Sequence, residues 1–115
     1  MASACLFIGW DRPRAGRDRE AVSQLPEVLA QLEKYREAGW FERCDVIGLT
    51  PHCGTLNTFI LLQGERAKLD ELRRTDGFER FSMQLGQWFE GYGVIPGVTT
   101  EGLHKALQRT ADLLK

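Results

Sequence analysis

The chain has 115 residues, 43% of them hydrophobic and 27% charged. That is enough apolar material for one domain, residues 1–115, to build a core without disulfides or metal. A formal net charge of -1 excludes a global field that would draw the protein to nucleic acid or to an anionic membrane.

Ser3–Trp10 reads as the first strand. Leu6, Ile8 and Trp10 lie on one face and Cys5 and Phe7 on the other, so the strand is expected to be central and buried on both sides. Its apolar stretch is too short to span a bilayer. No basic segment precedes it and no cleavage pattern follows, so a signal peptide is not expected and the cytoplasm is the expected compartment. Asp11–Gly16 is a loop. Arg12, Arg14, Arg17 and Arg19 alternate with Asp11, Asp18 and Glu20, which reads as a solvated surface rather than an anion site.

A helix then runs from Arg17 or Asp18 to Ala38, with Val22, Leu25, Leu29, Leu32 and Tyr35 as its apolar stripe. Pro26 removes a backbone donor. Either the helix is long and kinked there, the preferred reading, or it begins near Ser23 with Pro26 in its first turn. Gly39 is the natural stop.

Two strand-like runs follow, Phe41–Thr50 and Thr55–Gln63, joined by Pro51-His52-Cys53-Gly54. The first begins with Glu42, Arg43 and Asp45, as an edge or a wet cleft would allow. In the second, Leu56, Ile60 and Leu62 share one face, and Phe59 and Leu61 the other. Arg66–Arg74 reads as a short helix. A second helical piece follows, capped by Asp76 with Glu79, placing Phe78, Phe81, Leu85 and Trp88 on one side. The fourth strand is expected within Phe89–Ile95, before Pro96-Gly97. Thr99 or Thr100 caps a last helix reaching Leu114, with Leu103, Leu107 and Leu114 aligned.

The order β-α-β-β-α-β plus a C-terminal helix predicts an α+β, ferredoxin-like fold with a four-stranded antiparallel sheet. Two main helices cover only one face of such a sheet. Phe59 and Leu61, with either Phe7 or the Leu6, Ile8 and Trp10 set, would line the other. Monomers seldom expose a patch of that kind. A homodimer pairing the two open faces is therefore expected. The competing picture folds the last helix over the open face of its own chain.

Gly16-Arg17 opening a helix, Pro51-His52-Cys53-Gly54, Gly64 with Lys68-Leu69, and Asp76-Gly77-Phe78 occur in this order. Together they resemble an uncharacterised bacterial family of the dimeric α/β-barrel superfamily, over nearly the whole chain. The resemblance implies two ferredoxin-like sheets paired into a barrel, with apolar ligands bound between each sheet and its helices. Relatives in that superfamily include cofactor-free monooxygenases, muconolactone-type isomerases and haem-degrading enzymes. The family's loop more often reads Pro-His-Gly-Gly. Cys53 replaces a glycine there, an uncomfortable exchange if the position needs a positive φ.

His52 is the candidate catalytic group, since histidine exchanges protons near neutral pH. The plainer reading is that its imidazole satisfies backbone groups of its own turn. Trp10, Phe59, Trp88 and Tyr92 are candidate ligand-binding walls, or else ordinary aromatic core. Cys5, Cys44 and Cys53 show no C-x-x-C spacing, and with His52 and His104 they form no recognised ligand set, so no metal and no cofactor is assigned. The P-loop, dinucleotide and nucleophile-elbow patterns are absent. Thr55–Gln63 lacks the basic and aromatic pattern of an RNA-binding strand. The residues thus predict a homodimer that binds a small, largely apolar molecule; the resemblance implies monooxygenase- or isomerase-like activity, and the alternative is a non-catalytic sensor or interaction module.

Overall fold

The computed structural model describes residues 2–115. Eight elements follow in order: β1 (Ala4–Trp10), α1 (Asp18–Glu37), β2 (Arg43–Gly48), β3 (Thr58–Gly64), α2 (Arg66–Arg73), α3 (Asp76–Trp88), β4 (Gly93–Val98) and α4 (Thr100–Leu113). The strands form one antiparallel sheet in the order β2-β3-β1-β4, consistent with the ferredoxin-like layout. The two-sided strand β1 is central, and the polar strand β2 is an edge.

One face of the sheet carries the core. Leu6, Ile8, Ile60 and Leu62 are fully buried there, against Leu69, Leu72, Phe78, Phe81 and Leu85 of α2 and α3. The stripe expected of α3 holds at all four positions. That of α1 is turned. Ala21, Val28 and Leu32 are buried and Leu25 and Tyr35 pack beside them, while Val22 and Leu29 face solvent. The buried series 21-25-28-32-35 keeps the three-and-four spacing of a helix face; small Ala21 permits the closer approach that Val22 would prevent. Helix α1 continues through Pro26 and ends at Gly39, whose φ of 87° only glycine adopts easily.

Several boundaries differ from expectation, and β2 is confined to Arg43–Gly48 within the expected Phe41–Thr50 run. Thr75, not Asp76, caps α3, its hydroxyl accepting from the Phe78 amide at 3.2 Å; Asp76 occupies the first turn, where its charge still favours the helix dipole. Strand β3 starts at Thr58 rather than Thr55, which leaves Leu56 in the loop. Strand β4 runs through Pro96 and Gly97 instead of stopping before them. An edge strand tolerates proline because its outward amide needs no partner.

The opposite face is uncovered. The register sets Ile47, Phe59, Gly9 and Gly93 in one row across the strands, and Asp45, Leu61, Phe7 and Ile95 in the next. Phe7, rather than the Leu6 set, therefore joins Phe59 and Leu61. The Phe7 and Phe59 rings stack, with centroids 5.2 Å apart. Helix α4 does not fold over this surface. Thr99 caps it and ties it to the first strand, its hydroxyl donating to the Ala2 carbonyl at 3.0 Å. Gly102 is buried against the Ser3 carbonyl, so close that a Cβ would overlap it. Every residue from Leu103 onward is exposed. The molecule is correspondingly elongated, 55 × 36 × 20 Å.

Candidate functional site

His52 lies in the loop joining β2 to β3, across the sheet from β4. Both ring nitrogens are engaged locally. Nδ1 accepts from the Gly54 amide at 2.8 Å, and Nε2 lies 2.6 Å from the Leu56 carbonyl. A carbonyl only accepts, so in this geometry Nε2 is the donor and Nδ1 the acceptor. The ring thereby orders its own turn. It also holds Leu56 so that its side chain reaches over Gly9 beside Phe7, on the open face rather than with Ile60 and Leu62 as strand alternation predicts.

This geometry explains the loop's chemistry. Neither Cys53 nor Gly54 has a positive φ, so cysteine is accommodated at position 53 without strain. Gly54 is needed for another reason: a Cβ there would press on the His52 ring, 2.7 Å from Cε1. Replacing His52 with Ala is expected to cost about 1–2 kcal/mol through the two lost hydrogen bonds. It should also speed amide exchange at Gly54, measured by NMR. Unchanged exchange would show that the turn closes without the imidazole.

The four candidate walls do not converge. Trp10 is 2% exposed and stacks on Phe89, with ring centroids 5.0 Å apart. Trp88 is buried, and its indole N–H donates to Glu20 Oε1 at 3.0 Å. Phe59 pairs with Gly9 and so lies on the open face, opposite Trp10. Tyr92 is half-buried near the sheet edge, its hydroxyl 2.6 Å from that of Ser82. Burial raises the Tyr92 phenol's pKa above the ordinary range, opposed by the Ser82 hydrogen bond and by Arg73.

Beside that pair is a cleft of about 300 Å³ between α3 and β4, lined by Arg73, Phe78, Glu79, Ser82, Met83 and Val94. Sequence reasoning missed it because its walls come from three elements, α2, α3 and β4, whose approach is set by packing. Phe78 and Met83 lie on α3, five positions apart, and Val94 enters from the sheet.

The thiols are separate. Burial pushes the Cys44 thiol up, with Asp45 and Glu33 adding to the effect, so it is a poor thiolate donor. Cys5 is half-buried on the open face, and Cys53 is exposed. Among the described residues, no three His, Cys, Asp or Glu side chains gather as a metal site, and no helix is long and apolar enough to cross a membrane. Arg43 and Asp45 form an ion pair at 2.8 Å along the edge strand, a contact that contributes little stability in water.

The class these features define is an α+β protein with a one-sided antiparallel sheet. No family model and no curated protein matches the chain. Crystal structures that share its fold include the following two. The protein PA3566 from Pseudomonas aeruginosa is 17% identical, with a TM-score of 0.60 over 86% of this chain and 95% of that one. A conserved protein from Methanosarcina mazei Go1 is 13% identical, with a TM-score of 0.54 over 83% of this chain and 91% of that one. At these identities the likeness is one of fold.

Proposed function

We propose that the protein is a homodimeric binding module for a small, largely apolar molecule, held in the cleft between α3 and β4. The observation that carries this reading is the pairing of that cleft with an occupied imidazole. Phe78, Met83 and Val94 supply apolar walls, and Ser82, Arg73 and Glu79 supply polar groups that would orient a ligand. His52 spends both nitrogens on its own turn and sits across the sheet from the cleft, which favours binding over proton-transfer catalysis at that residue. The uncovered Phe7, Phe59, Leu61 and Ile95 surface supports assembly of two copies through the sheet.

A thermal-shift screen with small aromatic and quinone-like compounds tests the reading. A ligand at a hundred times its Kd adds about 2.7 kcal/mol. Met83 is largely exposed, so Met83→Glu leaves the core intact while placing a charge in the cleft. The expected result is a stabilising compound whose effect is lost in Met83→Glu. A shift that survives this substitution would place the ligand elsewhere, and a screen without any shift would remove the ligand-binding reading.

A further inference from the structure

We infer that α4 is an arm that packs its leucine stripe onto a second copy of this chain, completing the dimer; the inference rests on the homodimer proposed above. Leu103 and Leu107, with Leu114 at the C-cap, recur at helical spacing on a helix whose one buried residue is Gly102. Leu107 is 57% exposed. A 14-residue helix lies near the length at which an isolated helix is marginal in water. Its exposed apolar stripe therefore calls for a partner. Its direction, however, is fixed. The Thr99 cap and the tight seat of Gly102 on Ser3 anchor the start of the helix, and every residue beyond it stays exposed on its own chain.

The areas point to the same occupant. Four strands about 4.8 Å apart and roughly six residues long present a sheet face of roughly 400 Å². A standard stable interface needs about 800 Å² from each partner. An arm about 21 Å long with an apolar stripe about 10 Å wide covers roughly 200 Å² of a neighbour and buries as much of itself. By twofold symmetry each protomer both gives and receives an arm, which closes the gap. The sheet face alone falls short of that interface.

Two measurements on the full chain test this. In a mixture of methyl-labelled and unlabelled protein, isotope-filtered NOEs from the Leu103 and Leu107 methyls should reach the other chain. Sedimentation of Leu107→Glu should show a dimer at least about tenfold looser than wild type, with any loss of helical circular dichroism limited to the 14 residues of α4 because the side chain is exposed within the protomer. NOEs confined to one chain, or a Leu107→Glu dimer as tight as wild type, would overturn the arm and leave the sheet-to-sheet dimer standing. A wild-type protein that sediments as a monomer would remove both.

Discussion

Trp10→Ala should lower the stability of the protein by about 3–5 kcal/mol, the range for emptying a large aromatic site in a core. Domains of this size have only about 5–15 kcal/mol in total. Trp10 closes β1, is 2% exposed, and stacks on Phe89 at the exit from α3. Its loss would open a cavity where the sheet meets the chain between α3 and β4. The Asp11 amide donates to the Glu90 carbonyl at 2.8 Å, and Pro13 bridges Phe89, so relaxation into the void would pull on paired backbone. Urea unfolding, with the slope held in common, measures the effect. Trp10→Phe should lose less because the stacking survives. A loss below about 1 kcal/mol for Trp10→Ala would mean that the indole is not core, and would restore it as a ligand wall.

The same residue shows what the sequence makes legible. Alternation along β1 sets Trp10 with Leu6 and Ile8 and sets Phe7 apart, and the structure keeps that division. The phenylalanines and Leu85 of α3 and the Gly39 stop are equally readable, as is a threonine cap on α4 at position 99 or 100, because each is a local pattern with a local cause. What is not readable depends on partners distant in the chain. Gly9 faces Phe59 because of the register between β1 and β3, strands about fifty residues apart in the chain, and a one-residue slip would have put Phe59 beside Trp10. The stripe of α1 follows Ala21 and Val28 rather than the larger Val22 and Leu29 because close packing on α3 and the sheet selects the small side chain. Pro96 stops a strand by propensity, yet it sits within β4 because that strand is an edge. The cleft beside Ser82 is invisible for a similar reason, being the gap among three separately patterned elements.

On the proposed assembly, Ile95→Lys should dissociate the dimer while leaving the protomer folded. Ile95 is 60% exposed on edge strand β4 and pairs across the sheet with Phe7, which in turn faces Leu61. Burying such a side chain in an interface contributes about 1.5–3 kcal/mol. The twofold axis counts it twice, so the substitution should weaken the dimer by about two to four orders of magnitude. The lysine would also have to leave water beside the Phe7–Phe59 stack, where Asp45 at the far edge of the same row is already paired with Arg43. Within the isolated protomer little is lost, because the wild-type side chain is mostly in water there. The thermal midpoint extrapolated to low protein concentration should therefore stay close to that of wild type. Sedimentation across a concentration series separates the two effects. An Ile95→Lys protein that dimerises as tightly as wild type would show that the Phe7, Phe59 and Leu61 surface is not where two copies meet.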